Sequence, residues 1–285
     1  MSGLAWRPPG LVIVGLLALG VLSWNVFAQP PSSANVSDEV NWDQVLQVSG
    51  VDEVLQQANF LIDQEIRNLE KTPLGFDSND LLTLQQSFRE QLGSEQLKQA
   101  IVADLQRQFS ASDIRQLQSI LRSKELQQLQ QLQARLEKAE VRKAIRSYKV
   151  KIRETAPSSN RLELLASLDE LLRQSSMETA LKVQLRKQLL ATVSQMKTKQ
   201  VFTEEMLDEQ LMDYRQEVEA KISENALHAY LYLLKRTPSS RVRDLLVSLD
   251  EPVFDAYMDI CLRAMEASFL KARQRLQDKM QLAEG

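Results

Sequence analysis

Residues 157–170 read PSSNRLELLASLDE, and residues 238–251 read PSSRVRDLLVSLDE, with nine of the fourteen aligned positions identical. A proline ends the helix before it, because it disfavours the α conformation at the preceding residue. The serines that follow are good helix caps, and the leucines of each copy then form a one-sided apolar stripe. The repeated stretch therefore predicts a break followed by a short helix, at two places in the chain.

The serine two positions after each proline is predicted to be the N-cap of the new helix. Glu163 and Asp244 follow these serines by four positions, which would place an acid in the first turn, where the helix dipole favours negative charge. The residues of the two predicted corners are Pro157, Ser159, Pro238 and Ser240.

Glycine is nearly absent from the second two thirds of the chain, since only Gly285 follows Gly93. A protein with many β-hairpins needs glycine where the backbone has a positive φ. Apolar residues also recur at intervals of three and four rather than two, which is the helical period. The sequence therefore predicts an all-α fold, a multi-helix bundle with two loosely repeated helix-break-helix halves.

Several helix starts are marked by capping residues. Ser94 and Thr203 are predicted N-caps, and Ser110 with Asp113 has the spacing of a capping box. Pro252 is predicted to begin a last long helix, because proline is favoured in the first helical turn. A further helix is predicted from the apolar stripe Met177, Leu181, Leu185, Leu189, Val193 and Met196.

The first 28 residues have the outline of a secretory signal peptide. Arg7 precedes an apolar run at residues 11–22, and the small residues Val26 and Ala28 suit a cleavage site. The alternative is an uncleaved signal anchor, because residues 11–28 are uncharged and reach the lower length limit for crossing a bilayer. Residues 29–40 are predicted to be a flexible linker. Residues 41–285 are predicted to be a helical domain, either undivided or in two halves, 41–175 and 176–285.

The charge balance disfavours nucleic acid as a partner. Without Arg7, 34 of the 35 basic residues stand against 38 acidic ones, so the mature chain is mildly acidic. Membrane contact is expected only through residues 11–28, if they are not cleaved. The lone Cys261 has no internal partner for a disulfide and is predicted to be buried among apolar neighbours.

Catalytic and metal-binding patterns are scarce. His228 is the single histidine, which excludes the usual multi-histidine zinc sites, and the chain has no glycine-rich phosphate loop. We therefore expect no enzyme activity, no cofactor and no metal ion. Carboxylates are the remaining candidates for chemistry, although such runs are more often solvated helix faces. They are Asp169, Glu170, Asp250, Glu251, Glu204, Glu205, Asp208 and Glu209.

Two stretches resemble a domain-of-unknown-function family of all-helical bacterial exported proteins. FSASDIRQLQSILRSKEL, from Phe109, is similar to the family's opening helix, and YLYLLKRTPSSR, with Thr237 and Pro238, is similar to its closing part. Leu126 and Ser240 stand where the family pattern has glycine. The resemblance spans residues 51–265 and implies a helical fold in the periplasm or outside the cell, with no assigned activity. An uncleaved anchor would instead hold the domain on the periplasmic side of the inner membrane.

Two functional hypotheses follow. The first is a non-catalytic module of the cell envelope that binds a partner protein or a second copy of itself, indicated by export, amphipathic helices and the missing catalytic set. The second is a carrier or sensor of an apolar ligand held between helices, because methionine adapts to irregular gaps. Its candidate pocket residues are Tyr230, Phe254, Met258 and Met265. A hydrolase built on the carboxylates is the least supported alternative.

Overall fold

The computed structural model describes residues 40–284, which form twelve α-helices, one 3-10 helix and the turns between them. The predicted signal segment, and the predicted linker up to residue 39, lie outside the described residues. The helices are α1 (Trp42–Ser49), α2 (Val51–Glu70), α3 (Ser78–Leu92), α4 (Ser94–Gln108), α5 (Ala111–Leu121), α6 (Lys124–Gln133), the 3-10 helix (Ala134–Glu137), α7 (Ala139–Glu154), α8 (Ser159–Leu172), α9 (Gln174–Thr198), α10 (Glu204–Leu233), α11 (Ser239–Leu249) and α12 (Pro252–Glu284).

The predicted all-α bundle is confirmed, and residues 40–284 contain no β-strand. Three predicted helix starts are also confirmed. Ser110 and Asp113 make both hydrogen bonds of a capping box at α5, and the Thr203 side chain accepts from the Met206 amide at α10. Pro252 is the first residue of α12. No helix within this part of the chain has the length together with the apolar character that crossing a bilayer requires.

The predicted cap at Ser94 is wrong, because Ser94 is already the first residue of α4 and Gly93 is the N-cap. The amide of Ser94 donates instead to Asn59 Oδ1 on α2, at 3.4 Å, and Asn59 Nδ2 donates to the Ser94 hydroxyl at 3.0 Å. The free amide at this helix start is thus capped by a residue 35 positions away, which local sequence rules do not anticipate.

The predicted caps at the repeated corners are also wrong. Ser158, not Ser159, is the N-cap of α8, where its hydroxyl accepts from the Arg161 amide at 3.4 Å. In the second copy Pro238 itself is the N-cap of α11, so no side chain caps that helix.

Both short helices therefore begin earlier than predicted, α8 at Ser159 itself and α11 at Ser239. The acids expected in the first turn, Glu163 and Asp244, consequently lie beyond it. The fixed φ of Pro238, −58°, already suits a helix entrance, which explains why α11 starts directly after it.

Helix α9 is the centre of the bundle. It contacts α2, α8, α10 and α12, and its buried residues are distributed around the whole helix rather than along one stripe. Several of the buried or half-buried positions are polar and are paired across helices. Arg186 Nη1 lies 2.6 Å from Glu65 Oε2 on α2, and Lys187 Nζ lies 2.5 Å from Asp208 Oδ1 on α10.

One hydrophobic core runs through the described residues, from Trp42 on α1 to Ala272 on α12. Residues on both sides of the predicted midpoint, 41–175 and 176–285, contribute to this same core. A small satellite cluster of Ala191, Phe202 and Leu207 lies where α9 turns into α10.

Gln174 ties the start of α9 to three other parts of the fold. Its Oε1 accepts from the Tyr230 hydroxyl on α10 and from Gln133 Nε2 on α6, both at 3.1 Å. Its side chain also lies over Gly50, the residue between α1 and α2, which has φ +82°. The corner between α1 and α2 therefore requires glycine both for its backbone conformation and for space.

Gly50→Ala is expected to lower the free energy of unfolding by about 3 kcal/mol, from strain at positive φ together with overpacking. The new Cβ would lie 2.1 Å from Gln174 Nε2, which cannot move without breaking the bonds to Tyr230 and Gln133. Gly75→Ala is the control. Its φ is also positive, +65°, but the added Cβ would have no atom within 4 Å, so we expect it to lower the free energy of unfolding by about 1 kcal/mol. Urea unfolding followed by circular dichroism measures both.

The same comparison in a Gln174→Ala background isolates the overpacking. There Gly50→Ala is expected to cost no more than Gly75→Ala. An unchanged difference between the two substitutions would show that Gln174 is not what fills the space above Gly50.

Gln188 and Gln184 lie one turn apart on α9 and differ in their partners. The amide of Gln188 is fully buried and neither of its polar atoms has a hydrogen-bond partner, whereas Gln184 Oε1 accepts from Arg273 Nη1 at 3.1 Å. Gln188→Met is expected to raise the free energy of unfolding by about 1–2 kcal/mol, and Gln184→Met to lower it by about 1 kcal/mol. Thermal and urea unfolding test this pair, and destabilisation by Gln188→Met would contradict the assignment of an unpaired amide.

Candidate functional site

The two copies of the repeat pack against each other, because α8 and α11 are neighbours in the bundle. The segments at which α8 and α11 begin are also in contact. Arg161 of the first copy donates to the carbonyl of Leu234 at 2.7 Å, where α10 ends, and to the Ser239 hydroxyl at 3.4 Å, where α11 begins. The repetition in the sequence therefore corresponds to a pair of adjacent short helices.

An open groove of about 550 Å³ lies between these copies, bounded also by the beginnings of α9 and α12. Both copies contribute to its walls. Its apolar lining comes from Leu171, Leu246, Val247 and Leu262, and its charged lining comes from Glu170, Arg173, Asp250 and Asp255.

Val247 is the most exposed large apolar side chain among the described residues, at 73%. It occupies the position that Ala166 has in the first copy, so the second copy presents more apolar surface at the equivalent place. Its exposure is unrelated to the stability of the core, since α11 buries Val242, Leu245 and Leu249 instead. The fold therefore leaves an apolar side chain in solvent beside three carboxylates.

Arg173 lies at the edge of the groove in an unusual backbone conformation. It connects α8 to α9 with φ +49°, in the left-handed region that non-glycine residues rarely adopt. Its guanidinium pairs with Asp255 and, at 3.2 Å, with Asp259, both on α12. These ion pairs hold the α8–α9 turn against the wall formed by α12.

Asp169 and Asp250 have equivalent positions in the two copies but different environments. Asp169 is still inside α8, whereas Asp250 is exposed at the end of α11, because Pro252 begins the next helix two residues later. Burial raises the pKa of Asp169, and the hydrogen bond from the Ser175 hydroxyl, at 2.9 Å, opposes only part of that rise. Of this pair of acids, only Asp250 lines the groove.

The acids at the start of α10 hold helices together. Glu204 accepts two hydrogen bonds from the buried Arg273 of α12, at 2.7 and 3.0 Å, and lies 3.5 Å from the buried Lys187 of α9. Asp208 pairs with the same lysine. The cluster therefore satisfies two buried cations, and within residues 40–284 no group of three or more potential ligands is placed to hold a metal ion.

The remaining sequence candidates lie elsewhere. His228 Nδ1 is 2.6 Å from the Glu224 carbonyl oxygen within α10. Cys261 is buried beside Tyr257, and burial raises the pKa of its thiol, which disfavours the reactive thiolate. The four predicted pocket residues Tyr230, Phe254, Met258 and Met265 all belong to the main core.

Comparison of the chain with protein-family models, with curated proteins and with solved structures finds no match. The resemblance to the family of exported helical proteins therefore stays a prediction.

The residues of the groove were largely missed by reasoning from sequence, although one signal was present. Aligning the two copies at their differing positions would have shown that Val247 replaces a small residue on a helix face that is otherwise polar. The role of Arg173 had no such signal, because its left-handed backbone and its partners on α12 depend on tertiary packing.

Asp169→Asn is expected to raise the free energy of unfolding at pH 7, because a neutral amide removes the cost of burying a charge. The folded-state pKa lies above the unfolded value of about 3.9, so on acidification the folded protein binds the proton first. The wild-type protein thus gains stability as pH falls through the folded-state pKa, and its difference from Asp169→Asn shrinks toward pH 4. Urea unfolding between pH 4 and 7 measures this.

Asp250→Asn is the matched control at the equivalent exposed position, and its stability should follow that of the wild type at every pH. A loss of stability in Asp169→Asn at pH 7 would show that the carboxylate contributes more through Ser175 than its burial costs.

Proposed function

We propose that this protein is a non-catalytic helical module of the bacterial envelope, which binds a partner protein through the groove between α8 and α11. The observation that carries the proposal is the exposed Val247 in a groove lined by both copies of the repeat. An apolar centre with a charged rim is the usual anatomy of a protein interface. Glu170, Asp250 and Asp255 supply such a rim, and Arg173 adds a positive group.

The location in the envelope rests on the predicted signal segment and on the family resemblance. Both are sequence expectations, and the signal segment lies outside the described residues. The non-catalytic character is supported by the use of the acids at the start of α10, which pair with the buried Lys187 and Arg273. Those side chains already serve to join α9, α10 and α12.

The carrier hypothesis has less support than the groove. Phe254, Met258 and Met265 are fully buried within the main core, and the Tyr230 hydroxyl is engaged by Gln174. A ligand at these residues would have to displace core contacts, whereas the groove is already open to solvent. The geometry therefore favours docking of a protein surface over uptake of an apolar molecule.

Val247→Asp is expected to abolish partner binding while leaving stability within about 0.5 kcal/mol of wild type, because substitutions on an exposed helix face rarely affect folding. Leu82→Asp on α3 is the control, since Leu82 is 55% exposed and outside the groove. The measurement is native mass spectrometry of the tagged protein isolated from its own envelope, for wild type and both variants. A photo-crosslinking residue placed at 247 or 82 then locates the contact.

A stoichiometric protein partner or a second copy, crosslinked from position 247 but not from 82, is the expected result. Recovery of a bare monomer, or a partner retained equally by both variants, would overturn the proposal. An apolar molecule bound to the isolated protein would instead support the carrier.

A further inference from the structure

Helix α7 differs from α6, α8 and α10 in that it has no buried residue. It contacts α10 and the 3-10 helix, and the partly buried Tyr148 and Ile152 on its inner face pack against the main core. Lys149 also pairs with Glu224 on α10, with 2.6 Å between Nζ and Oε1. The helix is thus attached along one side, and its other side faces solvent.

Helix α7 carries an excess of basic charge. Its residues, Ala139–Glu154, include six lysines and arginines against two acids, a net charge of +4 in a chain whose total is −3. The rest of the protein is therefore acidic, and α7 is a local exception. The net charge of the whole chain, which is negative, gives no indication of this basic surface.

The solvent face of α7 combines these cations with one apolar side chain. Val150 is 60% exposed. Arg146 and Lys143, one and two turns before it, and Arg153, three positions after it, are exposed on the same side of the helix, together with the acid Glu154. Lys151 is exposed on the adjacent side. Val150 therefore has basic groups before and after it on its helix face.

A second segment extends the same surface. Lys235 and Arg236 are exposed just beyond the end of α10. Lys235 Nζ lies 3.8 Å from the centre of the Tyr232 ring and 6.0 Å from that of Tyr148 on α7, and the two rings meet edge to face at 5.7 Å. The basic surface is consequently built by two parts of the chain, and its aromatic rings are engaged with each other.

We propose that this basic surface of α7 lies against a bilayer that contains anionic phospholipids. Lysines and arginines near such a surface contribute about 1 kcal/mol each, and exposed apolar side chains enter the boundary between headgroups and acyl chains. Val150, with Arg146 and Arg153 one turn away on the same exposed face, meets both requirements. A nucleic acid offers nothing to Val150, and the rings that would stack on bases, Tyr148 and Tyr232, are already occupied.

The test is flotation of the full chain with vesicles of phosphatidylcholine alone or with 30% phosphatidylglycerol, at about 50 and 300 mM salt. The N-terminal segment is identical in all variants, and an apolar segment inserts into both kinds of vesicle. The readout is therefore the increase in binding that phosphatidylglycerol causes and salt removes. The variant carries Lys143→Gln, Arg146→Gln, Lys151→Gln and Arg153→Gln, and its control carries Lys71→Gln, Arg115→Gln, Arg122→Gln and Lys124→Gln.

The wild type and the control are expected to bind anionic vesicles at least tenfold more tightly than the α7 variant at low salt. Circular dichroism verifies that both variants fold, which is expected because all eight positions are exposed. Equal loss in the control, or no dependence on phosphatidylglycerol in the wild type, would overturn the proposal. Binding to a polyanion such as heparin without binding to vesicles would also overturn it.

This surface is separate from the groove. Val247→Asp should leave vesicle binding unchanged, so the membrane proposal and the partner-binding proposal are tested independently.

Discussion

The burial of α9 on all sides is the constraint on which the rest of the fold depends. A helix surrounded by α2, α8, α10 and α12 buries most of its polar residues fully or in part, and its buried charged side chains need a partner on a particular neighbour. Arg186 requires Glu65 of α2, and Lys187 requires the acids at the start of α10. These pairs fix which neighbour lies on which side of α9, something that apolar contacts alone specify poorly.

The fold class and many helix boundaries could be predicted because they depend on local chemistry. The capping box of Ser110 and Asp113 and the cap at Thr203 involve residues within three positions of each other. A prediction failed where a residue distant in the sequence caps a helix in place of a neighbouring one, as Asn59 does at the start of α4. Helix α7 was overlooked because its apolar residues are sparse and it buries none of them, although the spacing of Val141, Ile145, Tyr148 and Ile152 is helical.

The repeat shows why sequence similarity did not predict the site. Both copies bury the leucine of Leu-Asp-Glu, Leu168 or Leu249, but α8 also buries Leu165 whereas α11 buries Leu245, which aligns with Leu164. Their ends also differ, because Pro252 stops α11 just after Leu249 while α8 continues to Leu172. The same tripeptide, Leu-Asp-Glu, therefore has its aspartate inside a helix in the first copy, as Asp169, and at the edge of the groove in the second, as Asp250. The two copies, with the helices that contain them, therefore contribute different residues to the groove, Glu170 and Leu171 from the first and Leu246, Val247 and Asp250 from the second.

The charges of this protein fall into two groups that the fold treats differently. Lys187 and Arg273 are buried, each paired with acids, and the bundle cannot form around them without those partners. The exposed lysines and arginines of α7 contribute nothing comparable, since the helix is attached through Tyr148, Ile152 and Lys149. Glutamine has a helix propensity close to that of lysine and arginine, so glutamine at those exposed positions would maintain the helix. Folding therefore explains the first group but not the second, and the like charges of the second group, which repel one another, are the reason for proposing contact with an anionic surface.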